Sequence, residues 1–224
     1  MANNVEKLNG IAITSIEEVN GITDDNLEAL NGEEFTGTPP DSLVLISTHT
    51  ASASSTIDIT SGIDSTYNIY EFHFINIHPS GTGLPYLGFQ VNAAGGSGFD
   101  EPIQSSYIIA QHTESNSTSG LSYSTGEDQD VSDLEYQELF HGMDDENDES
   151  VNGILKLYAP SSGTYVKHYV SRFNGPHHNV SAGYQMETFG AGYISTGTAI
   201  DEISFKMSAG NIDAGTIKMY GITK

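Results

Sequence analysis

Cysteine and tryptophan are absent from this chain of 224 residues, and basic residues are scarce. Without cysteine there is no disulfide framework, no zinc–thiolate site and no thiol nucleophile, so stability depends on the core or on association of chains. Such a composition is typical of a protein made in a reducing cytoplasm. The sequence also lacks a run of about 18 apolar residues and a basic start followed by an apolar stretch, so we expect no membrane span and no secretory signal.

The charge of the chain is strongly one-sided, because seven Lys and Arg face 30 Asp and Glu, for a net charge of −23. Residues 1–155 hold 26 of the acids and a single base, Lys7, whereas residues 156–224 hold four acids and six bases. An acidic surface repels phosphate backbones and anionic membranes, so we predict no nucleic-acid partner and no membrane insertion. Mimicry of DNA is one explanation of the acidity. We favour the other, solubility of a crowded assembly component.

The first 37 residues carry an 11-residue repeat. Its marker is an apolar residue followed by Asn-Gly, at residues 8–10, 19–21 and 30–32. Ser15 and Glu18 have the spacing of a helix capping box. Asp25 and Glu28 repeat that spacing, and each following Asn-Gly pair suits a left-handed helix end. We therefore predict an extended attachment arm with short helical turns over residues 1–37.

The large apolar residues of this arm are regularly spaced. They are Leu8, Ile11, Ile16, Val19, Ile22, Leu27, Leu30 and Phe35. Because helices this short do not persist alone in water, we predict that these side chains bind a partner protein or the arms of other copies. Two alternatives stay open. One is a right-handed coiled coil of 11-residue period, which a glycine in every repeat opposes, and the other is a frayed tail.

A linker at residues 38–41, Thr-Pro-Pro-Asp, ends the arm, and strand patterns begin directly after it. Nine segments have the composition of strands and are separated by turn-forming Gly, Ser, Pro and Asn. They cover residues 42–49, 55–60, 68–77, 84–91, 105–112, 152–158, 165–173, 201–208 and 215–222. We therefore predict that residues 42–224 form one all-β domain, a two-sheet sandwich of the jelly-roll type.

The segment at 68–77 is apolar on both predicted faces, with aromatic rings on one and isoleucines on the other. The two sets are Tyr70, Phe72 and Phe74, and Ile69, Ile75 and Ile77. A strand with one solvated face alternates apolar with polar residues. The second face of this strand is therefore predicted to meet another sheet or another subunit.

An acidic segment at residues 127–149 holds 11 acids and no base. We predict that Leu134, Leu139 and Phe140 anchor either a short helical turn or an edge strand, and that the remainder of the segment is a solvated loop. The segment does not match a calcium-binding EF-hand loop, because the glycine required at the sixth position is missing.

The eight histidines do not form a recognised metal motif. His177 and His178 are neighbours, so their side chains are expected to point in different directions. We predict no metal bound within one chain, and leave ligation across a symmetry axis open.

No nucleophile elbow, P-loop or dinucleotide fingerprint occurs, so we predict no enzyme, no catalytic residue and no cofactor. Carbohydrate binding without tryptophan would rest on tyrosines. The candidates are Tyr107, Tyr123, Tyr165, Tyr184 and Tyr193.

Two stretches of the sequence resemble a known family. Residues 43–79 with 87–99, and the ending IDEISFKMSAGNIDAGTIKMYGI at 200–222, are similar to the jelly-roll domain of virion structural proteins in tailed bacteriophages. The arm, with its recurring NGI and LNG units, resembles the N-terminal segments by which such proteins attach to the particle. The resemblance fades across residues 114–150.

This resemblance implies a non-enzymatic virion protein that forms a homotrimer and joins a tail or capsid protein through its arm. Related domains serve as tail fibres, tail adaptors and head decorations. The expected location is the virion, assembled in the host cytoplasm. The alternatives are a receptor- or glycan-binding module of the virion and a polysaccharide depolymerase.

Overall fold

The computed structural model describes residues 42–147, 149–178 and 183–223, together with the backbone of six two-residue strands within the first 41 residues. The chain divides into two compact units, Met1–Ser42 with Thr223 and Leu43–Ile222 with Lys224. Among the described residues there is no helix of the length and apolar character that crossing a membrane requires.

The first unit contains three antiparallel pairs of two-residue strands. They are β1 (Lys7–Leu8) with β2 (Ile11–Ala12), β3 (Glu18–Val19) with β4 (Ile22–Thr23), and β5 (Ala29–Leu30) with β6 (Glu33–Glu34). In each pair an Asn-Gly lies between the two strands in sequence, and Asn-Gly is the pair that two-residue hairpin connections favour.

The predicted helical turns are therefore wrong at Glu18–Val19 and Ala29–Leu30, which are strands. The reason is that Asn-Gly suits a hairpin as well as a helix end, and here Val19 pairs with Ile22 across it. The rest of these predicted turns, residues 15–17 and 24–28, lies outside the described residues.

The second unit is all-β, and its described residues contain no helix. Its strands are β7 (Leu43–Thr50), β8 (Ile57–Ile59), β9 (Ile69–Pro79), β10 (Leu87–Ala93), β11 (Ile103–Thr113), β12 (Ser119–Tyr123), β13 (Gln137–Phe140), β14 (Val151–Tyr158), β15 (Lys167–His177), β16 (Tyr184–Ile194), β17 (Ile200–Met207) and β18 (Ile212–Ile222). Each of the nine predicted segments overlaps one of these strands. The sequence did not predict β12 and β16, and β13 was one of two alternatives for its segment.

These strands form two antiparallel sheets. The larger has the order β12-β11-β16-β15-β14-β9-β18-β7, and the smaller has the order β13-β10-β17-β8. Four of the pairs are nested in sequence, one inside the other: β9 with β18, β10 with β17, β11 with β16, and β14 with β15. The chain from β9 to β18 thus folds as one long hairpin. Its two halves stay paired with each other where they cross from one sheet to the other.

Aromatic side chains join the two sheets. Phe205 of the small sheet packs against Phe72 and Phe74 of the large sheet, with ring centroids 5.7 and 5.0 Å apart. Phe89 of the small sheet meets Tyr169 of the large sheet at 5.0 Å, edge to face. All five rings are buried. The described domain is therefore a sandwich with one continuous core, as the sequence predicted at this coarse level.

The strand β9 differs from its prediction at Ile77. This residue is fully buried with Phe72 and Phe74, whereas Ile75 is 40 % exposed on the opposite face. The reason is an irregularity at Asn76, whose φ of 50° is left-handed and where the register with β14 shifts. A bulge of this kind moves every later side chain to the other face of the sheet.

The acidic segment is also more ordered than its prediction. Its middle forms β13, the edge strand of the small sheet, and confirms the edge-strand alternative for Leu139 and Phe140. Both side chains are fully buried, and Met143 beyond them is buried as well. The predicted solvated loop is therefore wrong at Met143, because this apolar side chain extends the core beyond the edge strand.

Gly192 in β16 provides a test of the packing around this strand in the large sheet. A Cβ at this position would lie 2.2 Å from the Gln104 carbonyl oxygen and 2.8 Å from the Tyr169 ring. Since the carbonyl belongs to a paired strand and cannot move aside, Gly192→Ala should lower the free energy of unfolding by about 1–3 kcal/mol in urea denaturation. Gly120→Ala in β12, where nothing lies within 4 Å, is the matched control. Equal stability of both variants would contradict this packing.

Candidate functional site

The edge strand β13 is fixed to the large sheet through one buried carbonyl. The Leu139 oxygen accepts hydrogen bonds from the Tyr107 hydroxyl of β11 at 3.1 Å and from the Thr188 hydroxyl of β16 at 2.7 Å. On the same strand, the Gln137 side-chain amide donates to the Glu127 carbonyl oxygen at 3.0 Å. These bonds hold the chain around Glu127 beside the end of β13.

A cluster of Glu127, Glu138 and His141, called the Glu–His cluster below, lies at this end of β13. His141 Nδ1 is 2.6 Å from Glu138 Oε1 and 4.0 Å from Glu127 Oε1. One donor atom of each residue lies within 4.8 Å of the other two, and all three side chains are partly buried. The three therefore have the types and spacing of ligands for one metal ion.

Burial and charge oppose each other in this cluster. Burial raises the pKa of Glu138, and the neighbouring Glu127 charge adds to the effect, while the hydrogen bond with His141 counteracts it. Burial by itself would lower the pKa of His141, but the hydrogen bond and charge of Glu138, with the charge of Glu127, raise it above 6.5. Two carboxylates thus share one histidine as their compensating group.

One carboxylate oxygen of the cluster has no partner that would offset the cost of its burial. Glu127 Oε2 is buried and has no hydrogen-bond partner among the described residues. A buried carboxylate oxygen without a donor costs free energy, typically about 1–3 kcal/mol and more when it is charged. One further positive or hydrogen-bonding group at this oxygen would therefore stabilise the cluster.

The neighbouring histidines point in different directions, as predicted from their adjacency. The His177 ring meets His141 edge to face at 5.5 Å, and its pKa is lowered by burial and by the His141 charge. His178 instead lies between two carboxylates, with Asp144 Oδ2 3.2 Å from Nε2 and Glu149 Oε1 3.5 Å from Nδ1. Both ends of the acidic segment thus have histidine partners.

Sequence analysis missed the Glu–His cluster. The local signal was present, because Glu138 and His141 are three residues apart and flank the apolar pair Leu139-Phe140 of the acidic segment. Glu127 is 11 residues from Glu138, and the contact between them depends on the tertiary bond from Gln137. No pattern in one sequence reveals that bond.

A second candidate surface is the side of the eight-stranded sheet turned away from the small sheet, called the outer face below. The strand register places eight of its residues in one continuous row: Thr48, Lys218, His73, Ile154, Arg172, Phe189, Ile108 and Tyr123. Ile154, Ile108 and Tyr123 are each more than a third exposed, as is Val170 in the next row. The small sheet packs on the opposite face, so among the described residues β9 does not meet the second sheet of the domain here. The other alternative, contact with another subunit, stays a prediction.

Basic residues gather on the outer face. Lys156, Arg172 and Lys218 lie there, and they are three of the five basic side chains that the structure describes. Glu71 is buried among them, with Lys156 Nζ at 2.7 Å and His73 Nε2 at 2.5 Å. Glu71 and Glu187 pair with Lys156 and Arg172 on this face, so its charges are nearly balanced in a chain of charge −23.

An open groove of about 400 Å³ lies on the same face. Its lining includes Ile75, Asn152, Ile154 and the ion pair of Arg172 with Glu187. Asn152, one of the lining residues, accepts a hydrogen bond from the backbone N–H of Asn76 at the bulge, at 2.9 Å. The groove combines apolar walls with amide and charged groups.

The tyrosines proposed for carbohydrate binding do not gather. Tyr107 is fully buried and cannot reach a ligand from its place in the core. Tyr184 and Tyr193 stand at opposite ends of β16, about 30 Å apart at the usual rise per strand residue. Tyr123 and Tyr165 are exposed, on β12 and before β15. These side chains therefore do not form one stacking platform.

The predicted partner-binding residues of the arm all precede Ser42, so their side chains lie outside the described residues. No family model matches the chain, and no curated protein matches it.

Glu71 generates a prediction of pH dependence. Burial would raise its pKa, but the hydrogen bonds and charges of Lys156 and His73 lower it below 4.5. The contribution of this group to stability is therefore complete above pH 4.5 and is lost as the pH falls through the lowered pKa. Glu71→Gln should reduce the free energy of unfolding by about 1–2 kcal/mol near neutral pH and by less near pH 3, in urea titrations.

The matched control is Glu187→Gln, on the same face but paired with Arg172, whose side chain is 69 % exposed. An exposed pair contributes about 0–1 kcal/mol, so this variant should differ little from the original chain at either pH. A constant deficit of Glu71→Gln across the pH range would contradict the assignment.

Proposed function

We propose that the chain is a non-enzymatic structural component of a tailed phage virion. Its N-terminal arm attaches it to a tail or capsid protein, and its sandwich serves as a tail fibre, an appendage or a decoration subunit. The observation that carries the proposal is the nested strand pairing, from β9 with β18 inward to β14 with β15, in a domain that follows a repetitive arm.

Nested antiparallel pairs are the wiring of a jelly roll, a fold common in viral capsid and lectin domains. The present sheets are unequal, with eight and four strands, because β14 and β15 join the large sheet. We regard the domain as a jelly-roll variant in which the large sheet holds more strands and the small sheet fewer. The sequence resemblance to phage virion domains supports the same assignment.

The outer face supports the homotrimer that belongs to this proposal. It exposes Ile154 and Val170 beside Lys156 and Arg172, and the remainder of the chain is strongly acidic. A second copy offers the acidic surface that such a face complements, and contact between them would reduce repulsion among chains of charge −23. The occupant that we assign to the outer face is therefore another copy of this chain.

A receptor- or glycan-binding module is the alternative function, and a polysaccharide depolymerase is a more distant one. The dispersed tyrosines give the glycan alternative no stacking site. We therefore retain the structural role as the proposal.

Attachment is tested by deleting residues 1–37. The truncated chain should fold and stay soluble, because the sandwich has its own core, but it should be missing from assembled particles. Gel quantification of purified particles measures its occupancy. A second variant with serine at Leu8, Val19 and Leu30 keeps the arm length and should also be lost. Full occupancy of either variant in particles would refute attachment through the apolar arm.

The trimer is tested by charge placed on the outer face. The original chain should scatter light as a trimer, and should remain one in about 0.5 M salt, because salt screens charge but not apolar burial. Ile154→Asp should dissociate it, since an acid there meets an acidic copy. Leu134→Asp, at an exposed leucine in the acidic segment, is the control and should remain trimeric. A monomeric original chain, or trimers of both variants, would overturn the assignment.

A further inference from the structure

The Glu–His cluster has nearly the spacing of a filled metal site. Ligands of a tetrahedral zinc ion at about 2.0–2.1 Å from the metal lie about 3.3 Å from one another. The observed distances from His141 Nδ1 to the carboxylates of Glu138 and Glu127, 2.6 and 4.0 Å, lie on either side of this value. Small side-chain rotations would therefore bring all three donors around one ion.

The buried Glu127 Oε2 is an independent indication. It has no donor among the described residues, although burial of an unpaired carboxylate oxygen is unfavourable. The hydrogen bond of His141 with Glu138 compensates the other carboxylate only. A cation between the three residues would neutralise both carboxylates at once, because their combined charge of −2 matches a divalent ion.

We propose that Glu127, Glu138 and His141 bind a divalent transition-metal ion of the zinc type. The donor set is one imidazole nitrogen with carboxylate oxygens, which suits zinc and its neighbours. Calcium and magnesium prefer sites made only of oxygen ligands, so the histidine selects against them. Three protein ligands leave a position for water or for a group from another molecule.

The scaffold holds the donors in place before any ion binds. Glu138 lies on β13, whose Leu139 carbonyl is fixed by the Tyr107 and Thr188 hydroxyls. Gln137 fixes the backbone at Glu127. The binding energy is therefore not consumed in ordering a mobile loop.

The second histidine–carboxylate group of the acidic segment gives a matched control. At His178 the carboxylates of Asp144 and Glu149 approach opposite ring nitrogens, at 3.2 and 3.5 Å. Donors on opposite sides of an imidazole cannot share one ion. His178 therefore has the same residue types around it without the geometry of a site.

The experiment is isothermal titration of the metal-free full chain, dialysed against a chelator, with zinc chloride near pH 7.5. We expect one zinc ion per chain. Glu127→Gln, which keeps the size of the side chain, and His141→Asn should each weaken binding about tenfold or more, while His178→Asn should leave it unchanged. Circular dichroism checks that each variant is folded, and Glu127→Gln decides the outcome if His141→Asn does not fold.

Cobalt supplies a readout of coordination. Replacement of zinc by cobalt(II) should give the visible absorption of a tetrahedral ion in the original chain, and Glu127→Gln should weaken that absorption. Absence of stoichiometric zinc binding would overturn the proposal. So would equal affinity of Glu127→Gln and the original chain, or loss of binding in His178→Asn.

Discussion

The packing of aromatic rings between two sheets of unequal width is the interaction on which the structure depends. Phe205 contacts both Phe72 and Phe74, so one residue of the small sheet packs against the interior strand β9 of the large sheet. Burial of each such ring contributes roughly 1.5–3 kcal/mol. Without cysteine, the described fold has no covalent reinforcement of this contact.

The unequal widths have a structural consequence. At about 4.8 Å per strand, eight strands span about twice the width of four, so part of the inner face of the large sheet needs another cover. The acidic segment contributes β13, one of the four strands of the small sheet, and the buried Met143 that follows it in sequence. Glu127 and Glu138 lie partly buried beside His141 next to this strand, whereas Asp130, Asp133 and Glu135 are exposed.

The outer face follows from the same arrangement. A large sheet with one side in the core must leave its other side to solvent or to another molecule. Here that side carries exposed aliphatic residues and three bases, two of them paired with Glu71 and Glu187, in a chain of charge −23, and the proposed interface rests on this composition. The proposed trimer and the proposed metal site use different parts of the domain, so each stands without the other.

The sequence by itself determined the all-β class, the nine strand segments and the buried aromatic face of β9, because period-two alternation and turn residues are local signals. It failed where one local signal suits two structures. Asn-Gly fits a helix end and a hairpin alike. In β16, Gly190 and Gly192 stand where apolar side chains would have shown the alternation of a strand.

Only the tertiary structure decided the face of Ile77, since a bulge at Asn76 is invisible in the alternation it interrupts. Tertiary contacts also decided the Glu–His cluster. Glu127 reaches Glu138 through a side-chain bond from Gln137, and β13 is fixed by hydroxyls of two strands distant in sequence. Such bonds depend on which strands become neighbours, and that is set by how the whole chain packs its core.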